Sequence, residues 1–289
     1  MPLLAHALVA PPTASPGGSA ARWMLFLHGI LGSGANWRTF AKSVVESRPG
    51  WGAVLVDLRL HGESGAFDPP HTVTRAVEDV LALATSLEAD PRLAGGVVRG
   101  VLGHSFGGKI ALELAARRGD LDHAFVVDST PSARPDRRGS EDTQHIVDLL
   151  RELPDHFPDR ESFLAWSQSR GVSRPTAMWL AMNVKPVPNT TRYVFRLDVP
   201  GIRAMLDDYF LVDSWNVVES PPAATRVHLV VGGRSSILDE ADRARARACA
   251  ERPGARTTLD VIPDAGHWVH ADAPDALRAV VLRHLDEGR

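Results

Sequence analysis

The sequence predicts an α/β fold: a mostly parallel central sheet flanked by helices, with an inserted helical cap. Two observations lead to this prediction. Short apolar runs alternate with amphipathic stretches at both ends of the chain, which is the pattern of a parallel sheet covered by helices. Residues 131–219 interrupt that alternation. We therefore expect residues 1–130 and 220–289 to form one core and residues 131–219 to form the cap.

The strands are predicted from short runs that are rich in β-forming residues and bounded by turns. The first, 3–9, precedes a turn rich in Pro, Gly and Ser, and the others lie at 23–27, 53–56, 97–102, 124–127, 227–231 and 258–262. The amphipathic stretches between these runs predict helices, which we place at 37–46, 72–87, 107–117, 239–250 and 273–285.

The central segment, 131–219, shows no clear strand pattern. It is rich in charged residues, prolines and bulky aromatic residues, and helical pieces are predicted at 142–152, 159–168, 176–183 and 202–210. The chain has no internal repeat and no low-complexity linker. We therefore interpret the segment as an insertion into one domain, after the strand that ends at residue 127.

Composition and charge narrow the classes of function. A hydrophobic fraction of 44% and a charged fraction of 23% are those of a soluble globular protein. The net charge of −3 gives no reason to expect a nucleic acid or an acidic membrane as a partner. No apolar run is long enough for a transmembrane helix, and the N-terminus lacks the basic start of a signal peptide. We expect a cytoplasmic protein, with the single Cys249 as a small buried residue.

A candidate nucleophile lies in the turn after the strand at 97–102. There the chain reads Gly-His-Ser-Phe-Gly-Gly over 103–108, and a predicted helix follows. A serine in a sharp strand-to-helix turn needs glycines two residues to either side, because side chains there would keep the strand and helix apart. The pattern predicts Ser105 as the nucleophile.

The loop after the strand at 23–27 reads His-Gly-Ile-Leu-Gly over 28–32. Acyl transfer needs two preorganised donors for the oxyanion, and backbone N–H groups supply them. We predict the N–H groups of Ile30 and Phe106, with Leu31 as the near alternative to Ile30. His28 is interpreted as a residue that braces the loop.

The base must reach Ser105 from a loop at the same edge of the sheet. His267 meets this condition, since it follows the strand at 258–262 and precedes the last predicted helix. His270 is the local alternative and lies closer to that helix. We predict His267 as the base.

The third member of the site is an acid, and two carboxylates compete for the role. The loop after the strand at 227–231 offers Asp239 as its first carboxylate, where capping of a helix is a sufficient reason for an aspartate. Asp128 ends the strand that follows the nucleophile helix, at the edge where catalytic groups gather. We favour Asp128.

These segments resemble the α/β-hydrolase superfamily over nearly the whole chain, and within it the YbfF-type and ABHD11-like serine esterase group. The matching segments are LHGILGSGANW (27–37), VDLRLHGES (56–64), GHSFGGKIALELA (103–115), VVDSTP (126–131), GGRSS (232–236) and AGHWVHADAP (265–274). The resemblance implies the α/β-hydrolase fold and the chain order Ser, acid, His. It also implies an acid after the strand that follows the nucleophile helix, which is Asp128. One departure is Leu60, where the group usually has asparagine.

Together the motifs and the resemblance predict a serine hydrolase that cleaves a small-molecule carboxylic ester or thioester through an acyl-enzyme on Ser105, without a metal or cofactor. The alternatives are an acyltransferase that uses an alcohol acceptor, a carbon–carbon bond hydrolase and a non-catalytic ligand receptor. A small to medium apolar acyl group is expected. The candidate substrate-binding residues are Leu31, His104, Trp166, Trp179, Met182 and Trp215.

Overall fold

The computed structural model describes residues 2–11, 22–65, 67–93 and 95–286. The strands within these ranges are β1 (His6–Val9), β2 (Arg22–Leu27), β3 (Trp51–Val56), β4 (Val97–His104), β5 (His123–Val127), β6 (Val184–Pro186), β7 (Tyr193–Phe195), β8 (Arg226–Gly232) and β9 (Thr257–Ile262). The α-helices are α1 (Arg38–Ser47), α2 (Val73–Glu88), α3 (Phe106–Arg118), α4 (Glu141–Leu149), α5 (Arg160–Gln168), α6 (Arg174–Leu180), α7 (Val199–Tyr209), α8 (Trp215–Glu219), α9 (Glu240–Ala250), α10 (Val269–Asp272) and α11 (Pro274–Asp286).

The central sheet of the described residues has seven strands in the order β1-β3-β2-β4-β5-β8-β9. β1 pairs antiparallel with β3, and the remaining neighbours pair in parallel. This arrangement confirms the predicted mostly parallel sheet. β1 is shorter than predicted, because the backbone of Ala5 bonds to Ser64 and Asp57 in the loop after β3. The turn predicted after β1 lies largely outside the described residues.

The core consists of two apolar clusters, one on each face of the sheet. Successive strand residues point to opposite faces, so Leu25 of β2 joins the cluster that contains α2 and α3, whereas Phe26 joins the cluster that contains α1 and α11. Cys249 is buried in the first cluster, as predicted. Because both faces are covered, the functional groups gather at the exposed edge, where the strands end.

Between β5 and β8, the chain forms helices α4 to α8 and a small hairpin. The expectation that this segment contains no strand is wrong, because β6 and β7 pair antiparallel, with Val184 opposite Phe195. Strands of three residues are too short to show an alternating pattern, and Pro186 further obscures this one. The division into a core and a cap at residues 130 and 220 stays a prediction.

The ends of several helices follow from local capping. The hydroxyl of Thr72 accepts the Arg75 N–H at the start of α2, and Asp159 accepts the Ser162 N–H at the start of α5. α3 ends at Gly119, which adopts a φ of 52° as left-handed helix ends require. In the described ranges, no helix combines the length and the apolar character needed to cross a membrane.

Candidate active site

Ser105 lies in a strained turn between β4 and α3. Its φ of 52° and ψ of −117° are costly for a residue with a side chain. A Cβ on Gly103 would lie 2.0 Å from the carbonyl oxygen of Gly107, and a Cβ on Gly107 would lie 2.7 Å from that of Leu27. Gly103 is therefore required for the close passage of β4 and α3, and Gly107 for the close passage of α3 and the end of β2.

The side chain of His267 approaches the turn from the loop after β9. Its Nδ1 lies 2.7 Å from Oδ2 of Asp128, which is fully buried at the end of β5. The other carboxylate oxygen, Oδ1, accepts the N–H of Gly232 at 2.9 Å. The hydroxyl of Ser235 donates to Oδ2 at 2.5 Å. These donors fix the orientation of the carboxylate beneath the imidazole.

Asp239, the alternative acid, has different partners. It caps α9 by accepting the N–H of Asp242, and this bond lowers the pKa of Asp239, as do the charges of Arg134 and Arg138. These arginines lie 3.3 and 3.1 Å from its carboxylate. Of the two carboxylates proposed from the sequence, Asp128 is the one that contacts His267.

The side chains of Ser105 and His267 face the same two small cavities. Among the hydrogen bonds of the described residues, none joins them. Such catalytic contacts are often long in unliganded enzymes and tighten when substrate binds. The structure therefore places the predicted nucleophile and base at one site, with Asp128 on the far side of His267.

Two further histidines lie behind His267. His104 Nε2 contacts the carbonyl oxygen of His267 at 2.8 Å, and burial lowers the pKa of His104 well below its usual value. The ring of His270, the alternative base, packs between Trp37 and His104, with centroids 4.7 and 4.8 Å away. Burial lowers the pKa of His270 to about 4. His270 therefore supports the loop of His267 from behind.

The candidate oxyanion hole is formed by the loop after β2 and the start of α3. The N–H of Leu31 donates to Nε2 of His61 at 3.0 Å, so it is not free for substrate. Phe106 is the first residue of α3, and N–H groups in the first turn of a helix have no partner within that helix. This arrangement favours the N–H groups of Ile30 and Phe106 over that of Leu31.

Two neutral histidines connect this loop to the loop after β3. His61 Nε2 accepts the Leu31 N–H, and His28 Nε2 accepts the Leu58 N–H at 3.0 Å in the opposite direction. Burial lowers the pKa of His28 to about 4 and that of His61 to about 3. Both rings are neutral near pH 7, which their role as acceptors requires. His28 thus braces the loop, as predicted from the sequence.

Three cavities meet at the site. The largest, here called the vestibule, has a volume of about 460 Å³ and lies between α4 and the loops after β8 and β9. Two inner pockets of about 30 Å³ each reach Ser105. Apolar side chains close the first inner pocket, namely Phe106, Leu206, Phe210 and Ile237. The second inner pocket is closed by Leu31, Ile146, Trp179 and Trp268.

The predicted substrate-binding residues divide into two groups. Leu31, His104 and Trp179 line the second inner pocket. Trp166, Met182 and Trp215 lie elsewhere. Trp166 packs against Phe157 and Phe163 inside the insertion, and Met182 lines a cavity on the other side of the oxyanion loop. Trp215 is buried, with its indole N–H bonded to Ser132.

Several residues of the site were not predicted from the sequence. Ser235, which donates to Asp128, lies in the segment GGRSS, but its role was not expected. Trp268 and Ile237 line both the vestibule and an inner pocket, and the one signal in the sequence for Trp268 is its position next to His267. Thr143 of α4 lines all three cavities, although nothing in the sequence distinguishes it from a solvent-exposed threonine.

Comparisons with known proteins agree with this architecture. The sequence model of the alpha/beta hydrolase family matches residues 24–280. The chain is 28% identical to the sn-1-specific diacylglycerol lipase ABHD11 of Mus musculus, over 91% of this chain and 80% of that protein. It is 26% identical to the esterase YbfF of Escherichia coli strain K12, over 91% of this chain and 93% of that protein.

Among solved structures, a marine microorganism esterase superimposes with a TM-score of 0.79 and covers 98% of this chain and 100% of its own. At 19% sequence identity, this likeness shows the fold alone. The family match is stronger evidence, because it compares the sequence itself with the family and extends over most of the chain. The chain belongs to the alpha/beta hydrolase family.

Proposed function

We propose that this protein is a serine esterase that cleaves a carboxylic ester or thioester through an acyl-enzyme on Ser105. The observation that carries the proposal is the 2.7 Å contact between His267 Nδ1 and Asp128 Oδ2, beside a pocket that Ser105 and His267 both line. The relatives named as lipase and esterase and the family match support an ester-hydrolysing enzyme.

In the first step, His267 takes the hydroxyl proton of Ser105 while Oγ attacks the acyl carbon. The negative charge that develops on the carbonyl oxygen is held by the N–H groups of Ile30 and Phe106. Asp128 keeps the Nδ1 proton in place and stabilises the imidazolium. When the tetrahedral intermediate collapses, the proton on His267 passes to the leaving alcohol or thiol.

In the second step, water replaces the leaving group. His267 removes a proton from this water, whose oxygen attacks the acyl carbon of the Ser105 ester. The acid is released, and the proton returns to Ser105 Oγ, so that the enzyme regains its starting state. Each step uses side chains and backbone groups of this chain.

The insertion would act as a cap in this reaction. Thr143 and Ile146 of α4, Trp179 of α6 and Leu206 of α7 close the inner pockets from above. We therefore propose that substrate selection resides in residues 131–219 and the chemistry in the remainder of the chain. The cytoplasmic location remains a prediction from the sequence.

The proposal is tested by hydrolysis of p-nitrophenyl acetate and p-nitrophenyl butyrate. We expect Ser105→Ala to lower kcat by about 10³-fold or more, because the nucleophile is lost. The matched control is Ser169→Ala, the same change at an exposed position of the insertion, which should keep the wild-type rate.

Two outcomes would contradict the proposal. Full activity in Ser105→Ala would show that another group is the nucleophile. Tight binding of an ester by the wild-type protein without turnover would favour a ligand receptor. Product analysis in the presence of ethanol separates hydrolysis from acyl transfer, since an acyltransferase would form the ethyl ester in place of the free acid.

A further inference from the structure

The cavities around Ser105 differ in size and chemistry. Each inner pocket measures about 30 Å³. The vestibule measures about 460 Å³, within the roughly 300–1,000 Å³ range of small-molecule sites. The space next to the nucleophile is therefore small, and the larger space lies beyond His267.

The linings of these spaces suit different parts of an ester. The inner pockets are closed mainly by apolar side chains such as Phe210 and Trp179. Arg134 and Arg138 also line the first inner pocket, and both are paired with Asp239. The vestibule adds hydroxyl groups that the inner pockets lack, for example those of Ser173 and Thr176. An apolar acyl chain gains most from the first environment, and a hydroxylated alcohol makes more hydrogen bonds in the second.

The position of His267 indicates where the acyl group and the leaving alcohol of the ester lie. His267 lines all three cavities, and as general acid it must lie beside the leaving oxygen. Ile30, whose N–H faces the developing oxyanion in the proposed mechanism, lines the two inner pockets. The vestibule is lined by His267 but by neither Ser105 nor Ile30, so we place the leaving alcohol on the side of the vestibule and the acyl group on the side of the inner pockets.

Thr143, like His267, lines all three cavities, and we call the place where they meet the junction. Thr143 lies in the first turn of α4 and is half-buried. Among the hydrogen bonds of the described residues, none involves its hydroxyl group. This group is therefore available to a ligand that passes from the inner pockets into the vestibule.

The charges around the vestibule indicate what kind of alcohol fits. Glu141 and Asp142 both line it, and hydrogen bonds from the N–H groups of Glu141 and Gly139 lower the pKa of the Glu141 carboxyl. The guanidinium of Arg234, also in the lining, donates to the carbonyl oxygen of Asp264. Two carboxylates against one guanidinium leave this lining with a net negative charge, which disfavours a leaving group that carries phosphates, because like charges repel.

We propose, building on the esterase function above, that Thr143 separates a short acyl subsite in the inner pockets from a subsite for an uncharged, hydroxyl-bearing alcohol in the vestibule. The substrate class is then a short-chain ester of a polyol. The Thr143 side chain limits the acyl length from the cap side, and its hydroxyl group bonds to the alcohol portion. A long acyl chain enters only if α4 moves.

The acyl side is tested with p-nitrophenyl acetate, butyrate and octanoate. For the wild type we expect kcat/KM to fall about tenfold or more from butyrate to octanoate. Thr143→Ala opens the junction, so the ratio of kcat/KM for butyrate to kcat/KM for octanoate should shrink to about threefold or less. Thr176→Ala, the same change at a residue that lines the vestibule alone, should keep the wild-type ratio.

The alcohol side is tested with glyceryl monobutyrate, ethyl butyrate and butyryl-CoA. The wild type should prefer the glyceryl ester over the ethyl ester by about fivefold or more, and should turn over butyryl-CoA least well. Thr143→Val keeps the shape and removes the hydroxyl, so it should lose most of the glyceryl preference and retain the chain-length profile. Because alanine and valine are both tolerated in a helix, these variants are expected to fold.

The inference is overturned if octanoate is turned over as well as butyrate, if Thr143→Ala leaves the ratio unchanged, or if butyryl-CoA is the best butyryl substrate. These results leave the esterase function standing as long as turnover disappears in Ser105→Ala. Turnover that persists in Ser105→Ala would instead refute the esterase function itself.

Discussion

The carboxylate of Asp128 receives hydrogen bonds from two loops that lie more than 100 residues away from it in the sequence. The N–H of Gly232 and the hydroxyl of Ser235 come from the loop after β8, and the imidazole of His267 comes from the loop after β9. Full burial of Asp128 makes each of these bonds stronger than it would be in water. These contacts support the proposal that Asp128, and not Asp239, is the acid.

The first prediction separates the two candidate acids. Asp128→Asn should lower kcat by about 10³- to 10⁴-fold, because an amide no longer holds the required imidazole tautomer. Asp239→Asn should keep kcat within about twofold, since asparagine also caps a helix. Steady-state hydrolysis of p-nitrophenyl butyrate measures both. The reverse order of effects would assign the acid to Asp239.

The second prediction concerns Ser235. Ser235→Ala removes one donor from Asp128 Oδ2 and leaves the carboxylate freer to rotate, so kcat should fall about fivefold to tenfold while KM stays constant. Ser169→Ala, the same change at an exposed serine away from these cavities, serves as the control and should behave as wild type. Equal kcat values for both variants and the wild type would show that Ser235 does not position the acid.

Ser105, His267 and Asp128 could be proposed from the sequence because each lies in the turn or loop that follows a predicted strand. Parallel strands bring such positions to one edge of the sheet. The bond from the Leu31 N–H to His61, and the position of Thr143 over the site, could not be predicted. Both depend on the paths of loops and of the insertion, for which the sequence shows no periodic pattern.

The loops after β2 and β3 are coupled through His28 and His61. Each ring accepts an N–H from the opposite loop, and each is buried. The loops also carry unusual backbone, since Leu31 and Leu60 both have a φ of 64°, a region that residues with side chains rarely occupy. The two histidines therefore help to hold a strained segment that carries the Ile30 N–H.

The third prediction is an acid sensitivity that arises from this pair. Because burial lowers the pKa of His28 to about 4 and of His61 to about 3, the unfolded chain binds protons below about pH 6.5 that the folded protein does not. The free energy of unfolding should therefore fall as the pH drops from about 6.5 to 4, by about 1.4 kcal/mol per pH unit for each ring.

Urea denaturation between pH 7.5 and 4.5 measures this dependence. In His61→Gln, the amide oxygen can still accept the Leu31 N–H. The free energy of unfolding of this variant should change less steeply with pH than that of the wild type. His156→Gln changes an exposed histidine and should preserve the slope. Identical slopes in all three proteins would mean that His61 does not take up a proton on unfolding.

The seven strands of the central sheet could be predicted because buried parallel strands appear as short, nearly continuous apolar runs. Helix ends were harder to predict. The helix expected at 142–152 ends at Leu149 and continues as a 3-10 turn over Leu150–Glu152. The β6–β7 hairpin was missed because its pairing depends on the surrounding insertion.

Lys109 of α3 contacts two distant parts of the segment between β5 and β8. Lys109 of α3 is fully buried, and its ammonium group donates to the carbonyl oxygens of Ser132, Tyr209 and Val212 at 3.0, 3.0 and 2.8 Å. Ser132 lies where the chain enters the insertion, and the other two lie near its exit. The side chain of Lys109 thus links the first and the later part of this segment to α3.

The fourth prediction follows from these three hydrogen bonds. Lys109→Met would leave three carbonyl groups without their donor, which should lower the free energy of unfolding by about 3 kcal/mol or more. Lys42→Met, on the exposed face of α1, should change it by about 0.5 kcal/mol or less. Urea denaturation at pH 7.5 compares the two variants. If the free energy of unfolding falls no further in Lys109→Met than in the control, the hydrogen bonds of Lys109 contribute little to stability.

The central claim, that Ser105 is an activated nucleophile, is tested most directly by covalent labelling with a fluorophosphonate, which bonds to activated serine hydroxyls as fluoride leaves. Peptide mass spectrometry should find one adduct, on the peptide that contains Ser105, in the wild type and none in Ser105→Ala. Labelling should also slow strongly in Asp128→Asn. An unlabelled wild-type protein, or an adduct on another serine, would contradict the account.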